Sequence, residues 1–360
     1  MASHKLPPLP ALRDFVHIYR LTARKILSQN YLMDMNITRK LVRSAGIEPG
    51  AYVVEIGPGP GGITRAILEQ SIRRCDVIEL DKRFMPALEP LVEASENRLF
   101  VHHGDALKFD IEPIWMDAKV PKHDWLDEPP NMHLIGNLPF DIASPLIIKY
   151  LREMSRRRGP WAFGRVPLTL TFQLEVAKRI CGKISTLDRA RISLVSQYVA
   201  EPKFLFEIPG RSFTPKPDVA VGVVKFVPRF EPLVQVVQKV VRHLFMYKNK
   251  EIHKCIKTMY PDDMADDLTH ELLSYARVDP NKTSHNVGIE ELADMSACYD
   301  KQCRRFPGLF LYYFEDKQPL EFLKNKPNAV PRVYGFTMPE LNKEGISIKE
   351  FDTKWIPTER

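Results

Sequence analysis

Short runs of β-branched and other apolar residues alternate with stretches of helical spacing between residues 51 and 226. Such alternation is typical of strand-helix-strand units, which build a largely parallel sheet covered by helices on both faces. We therefore predict an α/β fold with a Rossmann-like sheet for this part of the chain. The predicted strands span residues 51–56, 76–80, 98–102, 133–136, 168–172, 192–199, 204–208 and 219–226.

Helical patterns replace strand patterns on both sides of that region. Ile37, Leu41, Val42 and Ala45 mark one face of a helix. We expect it to end at Gly46, because glycine readily adopts the left-handed conformation of a helix terminus. After residue 228 the apolar spacing predicts helices at 234–245, 252–259, 268–275 and 289–303. We predict a smaller, all-helical domain there.

The length of the chain, 360 residues, exceeds what one hydrophobic core usually supports. The patterns divide it into a basic amphipathic segment at 1–30, an α/β domain at 31–228 and a helical domain at 229–316. Repeated prolines and weak periodicity predict a poorly ordered tail at 317–360.

The amino-terminal segment carries apolar residues at helical spacing, Leu12, Phe15, Val16 and Tyr19, among mostly basic polar residues. Such a segment suits a mitochondrial presequence, which is amphipathic, basic and poor in acidic residues. It equally suits an ordinary first helix whose apolar face packs on the domain. Both interpretations stay open at this point.

Composition narrows the class of protein. Hydrophobic residues make up 44% and charged residues 27%, which is ordinary for a soluble globular protein, and no apolar run has the length of a membrane span, so no membrane contact is expected. The five cysteines show no CxxC pairing, which predicts neither a disulfide framework nor a metal site. A net charge of +7 permits a polyanionic partner without identifying one.

A glycine-rich loop at residues 55–62 follows the first predicted strand and opens a helix, so that backbone can approach a ligand closely. Gly57, Gly59 and Gly62 match the GxGxxG pattern, which makes a dinucleotide oxidoreductase the competing interpretation. Pro58 and Pro60 argue against it, because they remove N–H donors that a pyrophosphate would use. Glu55 argues against it too, because a carboxylate there favours a cationic ligand.

Two further carboxylates lie at the ends of the next two predicted strands, Glu79 in the last part of one and Asp105 after the other. Glu79 stands where a carboxylate can accept hydrogen bonds from ribose hydroxyls, and Asp105 where one can accept from an adenine amino group. Because the carboxyl ends of parallel strands meet at one edge of an open sheet, Glu55, Glu79 and Asp105 are expected near one ligand. As a set they favour S-adenosyl-L-methionine.

The tetrapeptide Asn137-Leu138-Pro139-Phe140 follows the fourth predicted strand at the same edge. The Asn137 side-chain oxygen and the Leu138 carbonyl can accept both N–H bonds of an exocyclic amine and so direct its lone pair at a methyl group. Pro139 stiffens the loop, and the Phe140 ring can stack on a base. Tyr31 and Phe213 are candidates for a second stacking face.

Taken together, these residues resemble the ribosomal RNA adenine dimethyltransferases, most closely their mitochondrial branch, the mitochondrial dimethyladenosine transferase and transcription factor B proteins. The resemblance covers roughly residues 6–315. It rests on the segments 6–10, 27–32, 55–64, 104–105, 135–140, 145–149, 168–175 and 213–217. Two departures are Tyr31, where phenylalanine is common, and Leu80, where relatives often have a charged or β-branched residue.

The resemblance implies dimethylation of two adjacent adenines in a hairpin loop near the 3′ end of small-subunit ribosomal RNA, with S-adenosyl-L-methionine as the methyl donor. It implies a catalytic set of Asn137, Leu138, Pro139, Phe140 and Phe213, the last two holding the base. It implies that the cofactor is bound by Gln29, Asn30, Leu32, Glu55, Gly57, Glu79, Leu80, Asp105, Ala106 and Asn137.

The resemblance also implies a setting: the mitochondrial matrix, a ribosomal subunit under assembly and a monomeric enzyme. A role in transcription with a mitochondrial RNA polymerase or mitochondrial DNA, independent of catalysis, is the alternative it leaves open. Basic residues are expected to contact RNA phosphates. They form a cluster at Arg152, Arg156, Arg157 and Arg158 and a second set at Arg242, Lys248, Lys250, Lys254 and Lys257, and both are expected beside the active edge.

Overall fold

The helices and strands are taken from a computed structural model that describes residues 6–7, 9–21, 29–230, 235–247 and 249–331. The strands are β1 (Tyr31–Leu32), β2 (Tyr52–Ile56), β3 (Arg74–Glu79), β4 (Leu99–His103), β5 (Met132–Gly136), β6 (Leu168–Gln173), β7 (Ala200–Ile208), β8 (Phe213–Thr214) and β9 (Val221–Pro228). The helices of the first half are α1 (Leu12–Ile18), α2 (Met35–Ala45), α3 (Gly62–Leu68), α4 (Met85–Ala94), α5 (Glu112–Asp117) and α6 (Phe140–Arg156). They are followed by α7 (Leu174–Ile180), α8 (Arg191–Val199), α9 (Gln235–Leu244), α10 (Ile252–Ile256), α11 (Ala265–Tyr275), α12 (Ile289–Arg305) and α13 (Leu320–Leu323).

Seven strands form the main sheet in the order β4-β3-β2-β5-β6-β9-β7. The first five are parallel, and β9 runs antiparallel to both of its neighbours. The carboxyl ends of β2, β3, β4 and β5 therefore lie along one edge, where open α/β sheets bind their ligands. The predicted fold, a mostly parallel sheet with helices, is confirmed. β1 and β8 pair separately, through Leu32 opposite Phe213.

The helix predicted before the first strand is α2, and its ends have the expected chemistry. Asp34 accepts hydrogen bonds from the backbone N–H groups of Asn36 and Ile37, which satisfies donors at the helix start. Gly46 ends the helix with a φ of 83°, a left-handed conformation that glycine adopts without a Cβ penalty. Both the helix and its stop at Gly46 are confirmed.

One predicted strand is wrong. Residues 192–199 form most of helix α8, not a strand. The Ser193 hydroxyl donates to the carbonyl of Arg179 and accepts from the backbone N–H of Ala190, so it holds the first turn of the helix. Leu194, Val195 and Val199 are all buried, so the segment is a short, mostly apolar run with β-branched residues. Such a run does not distinguish a buried helix from a buried strand.

The amino-terminal segment packs on the α/β domain. Phe15 in α1 is 2% exposed and Leu12 is 5% exposed, and Phe15 belongs to the apolar cluster on one face of the sheet. The guanidinium of Arg65 lies over the Phe15 ring and donates to the carbonyl of Pro10 at 2.6 Å. The packing of α1 agrees with the interpretation of this segment as an ordinary first helix whose apolar face lies on the domain. Residues 1–5, 8 and 22–28 lie outside the described residues.

The helical region after residue 228 matches the predicted helices, but it does not have a separate hydrophobic core. Val237, Val240 and Val241 of α9 belong to the same buried cluster as Leu194 of α8 and Phe226 of β9. The helices thus extend the core on one face of the sheet. The secondary structure changes near residue 229, but the buried core continues across this position.

The prediction of a poorly ordered tail is wrong for residues 317–331. Helix α13 lies in this stretch, Leu323 is 3% exposed, and the N–H of Gly308 donates to the carbonyl of Ala329 at 2.8 Å. Residues 332–360 of the predicted tail lie outside the described residues. In the described part of the chain, no helix combines the length and the apolar character that a membrane span needs.

Candidate active site

A cleft opens at the carboxyl ends of β2, β3 and β5, beneath the small β1–β8 pair. It brings together many of the predicted site residues from four separate parts of the chain. The residues that line it are Gln29, Asn30, Tyr31, Leu32, Gly57, Pro58, Gly59, Pro60, Gly62, Ile63, Glu79, Phe84, Asn137 and Pro139.

The glycine-rich loop forms the floor of the cleft. Gly57 and Gly59 have φ values of 67° and 52°, conformations that residues with a Cβ adopt rarely. At Gly62 an added Cβ would lie 3.1 Å from both Leu12 Cδ2 and the Leu32 carbonyl. The glycines are thus needed for the path of the loop and for the close packing of the segments above it.

Glu79, at the end of β3, holds this loop in place. Its Oε2 accepts from the N–H of Gly59 at 3.1 Å, and its Oε1 accepts from the N–H of Asp81 at 2.8 Å. Burial raises the pKa of Glu79 above its ordinary value, while the two backbone donors lower it. Each carboxyl oxygen can accept a further hydrogen bond, so Glu79 can still take ribose hydroxyls as predicted.

Glu55 lies below the cleft and does not line it. The carboxyl group has no exposed surface, and Thr64 Oγ1 donates to its Oε2 at 2.6 Å, while its Oε1 is buried without a partner. Burial raises the pKa of Glu55 to about 8. The carboxyl group therefore does not face the cleft, and its predicted attraction for a cationic ligand stays a prediction.

Asn137 lies at the edge of the cleft with both ends of its side-chain amide hydrogen-bonded. Its Nδ2 donates to the carbonyl of Asn30 at 3.0 Å, and its Oδ1 accepts from Thr171 Oγ1 at 3.0 Å. The Thr171 hydroxyl in turn accepts from the N–H of Leu138 at 3.2 Å. The amide is therefore fixed in orientation, with one lone pair of Oδ1 left for a ligand.

The rest of the tetrapeptide changes direction from strand to helix. Leu138 is 3% exposed and packs in the core beside α6, whereas Pro139 lines the cleft. Pro139 has a φ of −54° and directly precedes α6, whose first residue is Phe140. The half-buried Phe140 ring packs at the margin of the apolar cluster that contains Phe15. Its predicted stacking on a base stays a prediction.

Two aromatic residues predicted to stack on the base lie in the β1–β8 pair and are buried. Phe213 is 4% exposed and Tyr31 is 7% exposed. The Tyr31 ring meets Phe84 edge-on at 5.6 Å, and its hydroxyl donates to Gln29 Oε1 at 2.7 Å. Tyr31 therefore builds the wall of the cleft, and base stacking by either ring stays a prediction.

The remaining predicted cofactor residues, Leu80, Asp105 and Ala106, follow β3 and β4 beside the cleft and are not among the residues that line it. Leu80 is 50% exposed. Asp105 Oδ1 accepts from the N–H of Leu107 at 3.0 Å, which makes the carboxylate a turn residue in this structure. Their contact with a cofactor stays a prediction.

Three residues that the sequence did not single out hold the site together. Thr171 orients Asn137, as described above. Asp81 accepts from Gln29 Nε2 at 3.3 Å and pairs with Arg83 at 2.6 Å, and the hydrogen bond from Arg83 lowers the pKa of Asp81. Lys149 Nζ, on α6, donates to the carbonyls of Ala106 and Phe109, both at 2.8 Å. Apart from the pair of Asp81 with Arg83, these contacts join distant parts of the chain, so no local pattern indicates them.

The arginine cluster predicted beside the active edge lies elsewhere. Helix α6 begins at Phe140, and its 17 residues at about 1.5 Å each carry Arg156 roughly 25 Å away. The prediction that this cluster borders the cleft is therefore wrong. Arg157 stacks on Trp125, with its guanidinium 4.7 Å from the ring centroid.

Within the helical region, two of the predicted RNA-contacting lysines form ion pairs with acidic residues of the same region. Lys254 pairs with Glu251 and Lys257 with Asp266. Lys248 lies outside the described residues.

Comparison with known proteins identifies the family of the chain. The family model for ribosomal RNA adenine dimethylase matches residues 20–301. A Caenorhabditis elegans protein named mitochondrial dimethyladenosine transferase 1 is 57% identical over 92% of this chain and 92% of its own. The Homo sapiens protein of that name is 40% identical over 91% of this chain and 95% of its own.

Two solved structures share the fold. A dimethyladenosine transferase from Plasmodium falciparum has a TM-score of 0.58 at 21% identity and covers 75% of this chain and 97% of its own. The 23S rRNA methyltransferase ErmE has a TM-score of 0.53 at 20% identity and covers 75% of this chain and 99% of its own. Since the family model spans most of the sequence and the relatives span nearly all of it, the chain belongs to the ribosomal RNA adenine dimethylase family.

Proposed function

We propose that this protein transfers methyl groups from S-adenosylmethionine to the N6 amines of two adjacent adenosines in the 3′-terminal hairpin loop of mitochondrial small-subunit ribosomal RNA. Membership of the family supports the chemistry. The observation that carries the proposal is the Asn137 amide, which is fixed by Asn30 and Thr171 at the edge of the cleft with an acceptor lone pair remaining.

The cleft suits S-adenosylmethionine by the chemistry of its lining. Backbone at Gly57 and Gly59 allows a close approach where side chains would collide, and the carboxyl group of Glu79 can accept from ribose hydroxyls. Pro58 and Pro60, also in the lining, offer no N–H donors for a pyrophosphate. Gln29, Asn30 and Leu32 would close over the bound cofactor from the β1 side, with Leu80, Asp105 and Ala106 beside the adenine. The bound group would supply an activated methyl on a positively charged sulfur.

Asn137 and Leu138 would orient the target amine. The nitrogen of an exocyclic adenine amine is a poor nucleophile because its lone pair is delocalised into the ring. Asn137 Oδ1 and the Leu138 carbonyl would accept its N–H bonds, which points the nitrogen lone pair towards the cleft. Phe140 and Phe213 would hold the base, and positioning would supply most of the acceleration. The chain then needs no strong general base.

The setting of the reaction follows from the relatives, whose names place them in mitochondria. We infer a mitochondrial location for this protein too, in the matrix, where the ribosomal subunit is assembled. There it would act as a monomer on ribosomal RNA within a partly assembled subunit. The substrate RNA would be held with the two target bases turned out of their stack.

The proposal is tested by methyl transfer to a synthetic hairpin with two adjacent adenosines. The wild-type protein should form N6,N6-dimethyladenosine from S-adenosylmethionine, and Asn137→Ala should lower the rate by about 100-fold. Asn131→Ala is the matched control, because Asn131 is an asparagine just before the opposite end of β5. Circular dichroism of each variant checks the fold.

Two outcomes would overturn the proposal: a wild-type rate in Asn137→Ala, or no dimethyladenosine from the wild-type protein on the hairpin and on a partly assembled small subunit. If the protein binds NAD more tightly than S-adenosylmethionine in a calorimetric titration, the oxidoreductase interpretation is favoured instead. Mapping dimethyladenosine in mitochondrial small-subunit RNA after depletion of the protein identifies the substrate in cells. Unchanged dimethylation there would contradict the proposed substrate.

A further inference from the structure

The hydroxyl group of Thr171 lies where β5 ends and the loop with Asn137 begins. Thr171 is on β6 and has no exposed surface. The last paired residues of β5 and β6 are Gly136 and Leu170, so Asn137 and Thr171 come directly after the end of this ladder. The side chain of Thr171 thus continues the contact between the two strands by one residue.

Among the residues that the structure describes, the Thr171 hydroxyl has one acceptor for its proton, the side chain of Asn137. The backbone N–H of Leu138 must donate, so at 3.2 Å the Thr171 oxygen is its acceptor. The single proton of the hydroxyl is then free to donate to the Asn137 side chain at 3.0 Å. A hydroxyl that donates requires an acceptor, so this end of the Asn137 amide is the oxygen.

The other end of the amide gives the same answer independently. It lies 3.0 Å from the carbonyl of Asn30, an acceptor, and must therefore be the NH2 group. A rotation of the amide by 180° would place two acceptors together at Asn30 and would take away the acceptor of the Thr171 hydroxyl proton. Thr171 and Asn30 thus hold Asn137 in one orientation only.

We propose that Thr171 is a positioning residue for methyl transfer, whose hydroxyl group keeps Asn137 Oδ1 turned to accept the N–H of the target amine. This inference rests on the proposed function of Asn137. Thr171 itself does not touch the substrate. Its loss would leave the NH2 end of Asn137 held by Asn30, with the Oδ1 end able to turn away from the amine.

A pair of substitutions separates the hydroxyl group from the volume of the side chain. Thr171→Val keeps the shape and removes the hydroxyl, whereas Thr171→Ser keeps the hydroxyl and removes a methyl group. Thr169→Val is the matched control, because Thr169 is a buried threonine two residues earlier on the same face of the same strand.

Steady-state methylation of the hairpin is measured for each variant at saturating S-adenosylmethionine. We expect kcat to fall at least about tenfold in Thr171→Val, because a small misplacement of a reacting group costs far more in rate than in binding. The KM for the hairpin and the affinity for S-adenosylmethionine should stay within about twofold. Thr171→Ser should restore most of kcat, and Thr169→Val should match the wild type. A wild-type kcat in Thr171→Val, or an equal loss in Thr171→Ser, would overturn the inference.

A second readout needs neither cofactor nor RNA. In protein labelled with 15N at asparagine side chains, the Asn137 NH2 resonances are assigned by their loss in Asn137→Ala. Their protons should exchange with solvent at least about tenfold faster in Thr171→Val than in the wild type, because one of two anchors is gone. Unchanged exchange would refute the role of Thr171.

The two readouts also keep the two proposals apart. If wild-type protein fails to methylate the hairpin while Asn137 exchange responds to Thr171→Val, the substrate is wrong and the positioning contact is right. Should Thr171→Val not fold, Thr171→Ala serves as a second variant without the hydroxyl group, judged by the same rate and exchange.

Discussion

The hydroxyl of Thr64 donates a 2.6 Å hydrogen bond to Oε2 of Glu55, a carboxyl group with no exposed surface. The bond joins the end of β2 to the first turn of α3 and so fixes the glycine-rich loop between them. It is nevertheless too weak to keep Glu55 ionised, because burial outweighs it and raises the pKa to about 8. The cleft is therefore supported from below by a group that titrates near neutral pH.

This titration predicts a pH-dependent stability. The pKa of Glu55 is about 8 when folded and near its ordinary value of 4.5 when unfolded, so between these pH values the folded protein binds more protons. The stability associated with the protonated group is complete below pH 4.5 and is lost as the pH rises through 8. The free energy of unfolding should therefore fall more steeply from pH 6 to pH 8.5 in the wild type than in Glu55→Gln.

Chemical denaturation at several pH values measures this difference. Glu79 and Glu153 also have raised pKa values, so the comparison between wild type and variant isolates the share of Glu55. Asp14→Asn on the exposed side of α1 is a control for removing one carboxylate. Equal slopes in wild type and Glu55→Gln would show that Glu55 is already ionised in the folded protein.

Lys149 links α6 to the turn after β4. Its ammonium group donates to the carbonyls of Ala106 and Phe109. Lys149→Met should cost about 1–3 kcal/mol of stability, because two acceptors lose their donor. If Asp105 and Ala106 bind the adenine of the cofactor as proposed, the affinity for S-adenosylmethionine should fall by about tenfold, because the turn that carries them loses its contact with Lys149.

Calorimetric titration and thermal unfolding check this prediction. Glu153→Gln is the matched control, because Glu153 lies 3.5 Å from Lys149 and its removal breaks the ion pair while leaving both carbonyl contacts. Unchanged affinity in Lys149→Met, together with reduced stability, would show that the turn is held by Lys149 but does not bind the cofactor.

Two apolar residues of helix α1, three positions apart, should differ in their contribution to stability. Phe15 is 2% exposed and Ile18 is 63% exposed. If the segment is part of the folded domain, Phe15→Ala should cost about 3–5 kcal/mol, while Ile18→Ala should stay within about 0.5 kcal/mol. Urea denaturation of both variants measures the difference, and equal stabilities would mean that α1 does not pack on the domain in solution.

The sheet was largely predictable from the sequence, and the reason is physical. Strands such as β2 and β5 are buried on both faces, so they appear as short apolar runs ended by glycine or a polar residue. The sequence of helix α8 predicts a strand because this segment is also buried and no longer than β7, and the hydrogen bonds of Ser193 arise only in the fold.

The candidate site was predictable in part. Residues at strand ends, such as Gly57, Glu79 and Asn137, could be placed at one edge because parallel strands share their direction. What Asn137 contacts could not be predicted, since Asn30 and Thr171 are 107 and 34 residues away in the chain. Nor could the raised pKa of Glu55, because the burial that causes it arises from packing of the complete fold.

The buried cluster that joins the sheet to the helical region has a thermodynamic consequence. Val240 and Val241 of α9 complete the core that begins with Leu194 and Phe226, so cutting the chain between them would expose apolar surface on both pieces. The two regions should therefore melt in a single cooperative transition. The helical region is for the same reason not a module that can be exchanged between relatives without also exchanging the face of the sheet on which it rests.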